Sequence, residues 1–220
     1  MARIRPEDAD KYQNTGGEFF TLKDDKDTAV VYFMAETVED LDIYVIHKVD
    51  EGDKTRNVNC LRLAGEPVDT CPLCAAGMKP EVRVFVQLYD INEDKVKIWD
   101  RGKTFLQMID PIARRNPKLY ERPIEIERNG AKGDSKTRYS LFPLEHSNEY
   151  PKLTPEQFPE PIEISGREKT IVLDRTYEEL QDYLNGKPLT ESDTQNQVGK
   201  SLRQPTQQKT TVQPRGRRSY

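Results

Sequence analysis

The chain has 220 residues, of which 33% are charged and 35% are hydrophobic, and its mean hydropathy is −0.85. This composition argues against a membrane-spanning helix, because no apolar run approaches the roughly 20 residues that cross a bilayer. It also predicts that part of the chain lies outside a packed core. The N-terminus lacks the apolar stretch of a secretory signal, and three cysteines are an odd number, so we expect a soluble cytoplasmic protein without a disulfide framework.

Charge is distributed unevenly along the chain. The formal net charge is −4, yet residues 195–220 contain six Lys/Arg and no acid. Residues 79–138 hold 14 Lys/Arg against 10 Asp/Glu, whereas residues 149–193 hold 5 against 11. A basic middle segment between acidic ones is compatible with a polyanion site, although ordinary scatter of surface charge explains the same numbers.

The first part of the chain is rich in β-forming residues. Residues 1–18 are polar and predict a flexible N-terminal arm. Residues 28–35 (TAVVYFMA) and 41–48 (LDIYVIHK) follow, and the second run has the two-residue alternation of a strand. Residues 58–63 predict a further short strand.

All three cysteines and one of the two histidines fall between residues 47 and 74. His47, Cys60, Cys71 and Cys74 are separated by 12, 10 and 2 residues. Three thiolates and one imidazole complete a tetrahedral zinc shell with no open position, which is typical of a structural site. We therefore predict one structural Zn²⁺ in a zinc knuckle spanning residues 47–77. Two alternatives stay open: His146 is the rival for the fourth ligand, and a CxxC redox pair beside one free cysteine needs no metal.

Residues 81–91 (EVRVFVQLYDI) and 95–99 predict a hairpin with one aliphatic face and one basic–aromatic face. Aromatic rings stack on bases and Lys/Arg side chains neutralise phosphates, so this composition indicates nucleic-acid binding. The alternative for each single aromatic is packing in a second core, under the helix or the metal subdomain. The predicted DNA-binding residues are Tyr44, Lys48, Arg83, Phe85, Tyr89, Lys95, Lys97, Trp99, Arg138 and Tyr139.

The second half of the chain predicts one clear helix and then progressively less order. Residues 103–114 have apolar side chains at helical spacing, and residues 123–128 and 137–143 bracket a glycine-containing loop as a second hairpin. Residues 149–189 predict an acidic, proline-rich linker with a short helix at 177–184. Residues 190–220 predict a disordered basic tail.

These segments predict a mainly β fold. Five or six strands and one helix between residues 19 and 148 suit an OB-like Greek-key barrel with an inserted zinc knuckle. Catalytic patterns are missing from the sequence, which contains no GxxxxGK[ST], HExxH or GxSxG motif. A zinc deaminase requires a glutamate where Val49 stands, and the aspartates at 24, 25 and 27 are more typical of a solvated turn than of a Mg²⁺ site. We therefore predict a non-catalytic protein.

The order and spacing of these motifs resemble those of the T-even-type bacteriophage single-stranded DNA-binding proteins and a broader group of phage single-strand binders. The matching features are the His-x₁₂-Cys-x₁₀-Cys-x₂-Cys spacing, FFTLKDDKDTAVVYF at 19–33, PLCAAG at 72–77, the GKTFLQMI helix after Trp99 and the hairpin at 124–143. The resemblance covers roughly residues 15–145.

The resemblance implies an OB-fold with a structural zinc bound by the four residues named above. It also implies sequence-independent binding of single-stranded DNA in phage replication, recombination and repair within the infected bacterium. The implied partners are replication and recombination proteins, together with cooperative self-association on DNA. One departure is the basic terminus, PRGRRSY, where these proteins usually end in an acidic tail.

Two other functional hypotheses stay open at this point. The first is a zinc-ribbon adaptor that binds a host polymerase or another protein through the basic–aromatic face. The second is a metal-dependent nuclease that uses carboxylates.

Overall fold

The computed structural model describes residues 19–52, 54–134 and 136–189 and is mainly β. Within these residues, nine strands and three α-helices follow the chain. The strands are β1 (Thr28–Phe33), β2 (Asp42–Glu51), β3 (Lys54–Asn59), β4 (Glu81–Asp90), β5 (Lys95–Gly102), β6 (Ile124–Asn129), β7 (Arg138–Pro143), β8 (Ser165–Gly166) and β9 (Val172–Leu173). The helices are α1 (Pro72–Ala75), α2 (Phe105–Arg115) and α3 (Tyr177–Leu184). The predicted flexible arm, residues 1–18, and the predicted disordered tail, residues 190–220, lie outside the described residues.

Strand β4 organises the sheet because three strands pair with it. Its first half pairs antiparallel with β2, its end pairs with β1, and β5 pairs along almost its whole length. The path of paired strands runs β7-β6-β1-β4-β2-β3-β9-β8. Among the described residues no pairing joins the two ends of this path, so the hydrogen bonds define an open sheet.

One face of the sheet packs on α2. Phe33 of β1 lies opposite Leu88 of β4, and both are fully buried in a cluster with Phe105 and Ile109 of the helix. Helix α2 covers this face because its apolar residues recur every three or four positions. Pro111 lies inside the helix without ending it.

The opposite face is also buried, and residues 149–175 cover it. Ile164 packs there with Phe85 of β4 and Ile46 of β2, and Leu153 packs with other side chains of β1 and β4. Strand β9 pairs in parallel with β3. Residues 149–189 were predicted as a proline-rich linker with a short helix, and the linker part is corrected, because isoleucine, leucine and phenylalanine side chains between the prolines pack on the sheet.

Most predicted elements are present with shifted ends. The prediction of a mainly β fold is confirmed, as are α2 and the helix at 177–184. The predicted strand at 58–63 is wrong: β3 ends at Asn59, and residues 60–63 carry no strand. In the described part of the chain, no helix is long and apolar enough to cross a membrane.

Candidate metal centre and nucleic-acid interface

Four side chains converge beside β2 and β3. His47 lies on β2, Cys60 directly follows β3, Cys71 precedes the first residue of α1, and Cys74 lies within α1. The ligand atoms of all four lie within 4.8 Å of one another. The Cys60 N–H donates to the carbonyl of Val45 at 2.9 Å, which holds the chain against β2 as it leaves β3.

The turn that presents the CxxC pair has a local cause in the sequence. Pro72 occupies the first helical position, where its missing N–H leaves no intrahelical hydrogen bond unmade. After α1 the chain reverses at Gly77, whose φ of +83° is a conformation that favours glycine. The Met78 N–H then donates to the carbonyl of Leu73 at 3.0 Å. This short knuckle holds the thiols of Cys71 and Cys74 on the side that faces His47.

The distances within the cluster are short. His47 Nε2 lies 3.6 Å from Cys71 Sγ and 3.5 Å from Cys74 Sγ, and the sulfurs of Cys60 and Cys74 are 3.6 Å apart. All three cysteines are free, so the CxxC pair is not a disulfide. The rival histidine, His146, instead lines a surface hollow formed by residues 115–122.

Burial and hydrogen bonds shift the pKa values of His47, Cys60 and Cys71. Burial lowers the pKa of His47, which favours the neutral imidazole that ligates metals. Burial also raises the pKa of Cys60 to about 12. Burial acts in the same direction on Cys71, but hydrogen bonds from the backbone of Cys74 and neighbouring residues bring its pKa below the ordinary value. A cation between the four residues offsets the cost of buried thiolates, so the cluster can hold one metal ion.

The predicted DNA-binding residues do not share one face. Phe85 and Tyr89 lie on the same side of the β4–β5 hairpin as Ile98, because Ile98 pairs with the residue midway between them. Trp99 pairs with Val86 and therefore points to the other side, which it shares with Lys97 and Lys95 at two-residue spacing. The predicted basic–aromatic face is thus divided between both sides of the sheet.

Three of the predicted aromatics belong to the core. Phe85 is fully buried beneath Ile164, and Trp99 and Tyr89 are 2% and 8% exposed. Tyr44 is half-buried with its ring 6.1 Å from that of Phe85. The prediction that Phe85, Tyr89 and Trp99 present their rings to DNA is corrected, because residues 149–175 cover one side and α2 covers the other.

Several predicted cations are already neutralised. Lys97 Nζ lies 2.9 Å from the Asp90 carboxylate and 2.7 Å from that of Glu93, and its side chain is only 13% exposed. Arg83 lies 2.6 Å from Asp100. These ion pairs stabilise the hairpin and leave little charge for a phosphate.

The two exposed lysines of the predicted set are far apart. Lys48 lies 3.0 Å from Glu81 at the start of β4, and Lys95 pairs in register with Asp90 at its end. Ten residues of extended strand separate these positions by about 30 Å. They therefore do not form one patch.

The structure does bring together Tyr139 and Arg138 of β7 with Arg101 of β5. The Arg101 guanidinium lies 4.5 Å from the centre of the Tyr139 ring and 5.1 Å from that of Trp99. Arg101 was missed by the sequence reasoning. Its position in the sequence could have indicated it: Arg101 follows Trp99 by two residues on the same strand, so the two side chains share a face.

Two exposed aliphatic side chains, Ile43 and Val45 of β2, lie on the same side of the sheet as Arg101, with the fully buried Val84 between the two strands. Ile43 of β2 and Arg101 of β5 both lie opposite Val84, so the three form one row. Ile43 and Val45 are 43% and 41% exposed. We call the set formed by Ile43, Val45, Arg101, Arg138 and Tyr139 the Arg101 surface. It ends beside the metal centre, because Val45 holds Cys60.

Comparison of the chain with models of known protein families and with curated proteins finds no match to either.

Proposed function

We propose that the protein is a non-catalytic, sequence-independent single-stranded DNA-binding protein that acts in the replication, recombination and repair of a bacteriophage genome. The proposal assigns the Arg101 surface to the DNA strand and a structural role to the metal centre. It also takes the cytoplasm of the infected bacterium as the place of action, with phage or host replication and recombination proteins as partners.

The observation that carries the proposal is the environment of Arg101. Its guanidinium is half-buried on two aromatic rings, and its Nε is buried with no hydrogen-bond partner among the described residues. Burial lowers its pKa, which means that the surroundings disfavour its charge. In the proposal, a phosphate of a bound strand adds negative charge beside the Arg101 guanidinium and offsets the cost of its burial. Arginine stacked on an aromatic ring is also a platform for an unpaired base.

The surface around Arg101 suits a single strand better than a duplex. Its exposed groups are aliphatic and aromatic as well as cationic, and unpaired bases offer apolar faces for such groups. A duplex hides those faces in its stack and presents mainly phosphates. We therefore expect a preference for single strands that depends little on sequence.

We propose that the metal is zinc. Zinc bonds are about 2.3 Å to sulfur and 2.0–2.1 Å to nitrogen. In a tetrahedral site these bonds place two sulfurs about 3.8 Å apart and a sulfur and a nitrogen about 3.6 Å apart. The sulfur–sulfur distance of 3.6 Å and the sulfur–nitrogen distances of 3.5 and 3.6 Å lie close to these values. Bound there, zinc supplies folding energy to residues 47–77 and no reaction.

We further propose that the strands of residues 19–148 form an OB-like Greek-key barrel. The support is the arrangement of β1, which pairs with β6 at its start and with β4 at its end, and the single helix α2 under the sheet. The acidic residues 149–189 are the segment that we assign to partner recruitment, since the terminal sequence is basic.

A second candidate function rests on the loop between Cys60 and Cys71. Leu63 and Val68 of this loop are 70% and 54% exposed, and a protein partner that covers the loop would remove both apolar side chains from water. The corresponding function is an adaptor that binds a host polymerase or another protein. Retention of one partner from host lysate after nuclease treatment, and its loss in a Leu63→Ser variant, would favour the adaptor.

Replacement of Arg101 tests the proposed function. Arg101→Gln removes the charge and leaves a shorter, neutral polar side chain, so affinity for oligothymidylate should fall about tenfold. One lost phosphate contact should also reduce the slope of log K against log salt by about 0.7. Arg122→Gln is the matched control, because the Arg122 charge is already paired with Glu145. Identical affinity and slope in wild type and Arg101→Gln would refute the assignment.

A further inference from the structure

A hollow of about 240 Å³ opens beside the Arg101 surface. Phe105, Met108 and Tyr139 contribute its apolar part, and Thr104 and Thr137 contribute hydroxyl groups. Its volume lies below the roughly 300–1,000 Å³ of pockets for drug-sized ligands, which fits one flat ring system rather than a larger molecule.

The charge of this hollow sets it apart. Arg101 and Arg138 line it, and no carboxylate does. Three other hollows in the described residues each contain an acid: Glu163 in one, Glu121 in another, Glu36 with Asp40 in the third. Only the hollow beside the Arg101 surface, among these four, combines an apolar wall with two arginines and no carboxylate in its lining.

We propose that this hollow receives one unstacked base of the bound strand. The inference rests on the proposed function and adds that a single base leaves the stack in each binding footprint. The base lies against the Tyr139 ring and the Met108 side chain, while Arg101 and Arg138 at the edge contact the flanking phosphates. Apolar contact on the ring face accepts any base, which agrees with binding that is independent of sequence.

The rigidity of the Tyr139 wall supports this role. The Tyr139 hydroxyl accepts a hydrogen bond from buried Arg128 at 3.1 Å. The same guanidinium donates to the carbonyls of Gly130 and Ala131 and to the hydroxyl of Thr137. One buried cation therefore fixes both the ring and the loop that borders the hollow. A preorganised wall reduces the entropy lost when a base is bound.

Filling the hollow tests the proposal. Thr104→Trp places an indole at its edge from an exposed position, so the fold should be retained. Gln107→Trp, exposed on the first turn of α2 and outside the hollow, is the matched control. Two fluorescent probes of equal length are titrated at low salt: an oligothymidylate, and an abasic strand that has the same phosphates but no bases.

We expect Thr104→Trp to weaken oligothymidylate binding by about fivefold to 150-fold, the range for loss of one stacked base. Binding of the abasic strand should stay unchanged, and Gln107→Trp should match wild type on both probes. Equal weakening on both strands would show that the hollow serves the backbone, and no weakening on either would show that it is unused; each result overturns the proposal. Failure of the wild-type protein to bind either strand would instead refute the proposed function.

Discussion

Replacement of Trp99 by alanine should destabilise the fold instead of selectively weakening DNA binding. Trp99 is 2% exposed, and its ring lies 5.6 Å from that of Phe20 and 5.2 Å from those of Phe105 and Tyr139. Truncation of a buried tryptophan costs about 3–5 kcal/mol, because the cavity is only partly refilled. Domains of this size unfold with about 5–15 kcal/mol, so Trp99→Ala removes a large fraction of the total stability.

Chemical denaturation of the zinc-saturated protein measures this loss. The unfolding free energy of Trp99→Ala is compared with that of wild type at equal zinc and salt concentrations. Phe142→Ala is the control, since Phe142 is 47% exposed and its truncation should change the free energy by less than about 0.5 kcal/mol. A loss below about 1 kcal/mol for Trp99→Ala, with weakened DNA binding, would show that Trp99 is a surface stacking residue and would refute this assignment.

Three further predictions concern the metal, the acid sensitivity of α3 and the covered face. Elemental analysis should find about one zinc per chain, and Cys74→Ser should lower both zinc content and stability, because metal binding is coupled to folding; a fully folded metal-free chain would contradict this. Burial acts to raise the pKa of Glu179, but hydrogen bonds from Arg167 and the backbone of Thr176 hold it below its usual range. The stabilisation from the Glu179 carboxylate is therefore present above the unfolded pKa of about 4.3 and is lost as the pH falls through the lower folded value. Urea unfolding should accordingly show Glu179→Gln less stable than wild type at neutral pH, with the difference vanishing in acid; a constant difference would be inconsistent. Phe158→Ala should loosen residues 149–175, which proteolysis can detect, and leave oligothymidylate affinity unchanged; an increased affinity would mean that the covered face binds DNA.

The four residues of the metal cluster could be predicted from the sequence because they lie close together along the chain. The CxxC turn and the spacing of His47 and Cys60 specify a compact arrangement whatever surrounds it. The strand positions were predictable for the same reason, since alternation along β2 and β4 is a property of each segment alone. Helix α3 was also readable, from its Thr176–Glu179 capping box and its apolar spacing.

The faces of the hairpin could not be predicted from alternation. Alternation states which residues share a side of one strand, but the β4–β5 register depends on the turn at residues 91–94. The prediction of one basic–aromatic face fails because Trp99 pairs with Val86 and Phe85 pairs with Asp100, which places the two rings on opposite sides. The segments that cover each side of the hairpin also cannot be predicted from the hairpin sequence, because Ile164, which packs on Phe85, lies about 80 residues further along the chain.

Salt-dependent titration of a labelled oligothymidylate, with a duplex of equal length as competitor, tests the central claim most directly. Single-stranded DNA binding on the Arg101 surface predicts that log K falls linearly with log salt and that the duplex competes poorly. Equal competition by the duplex, or affinity that does not change with salt, would contradict the account.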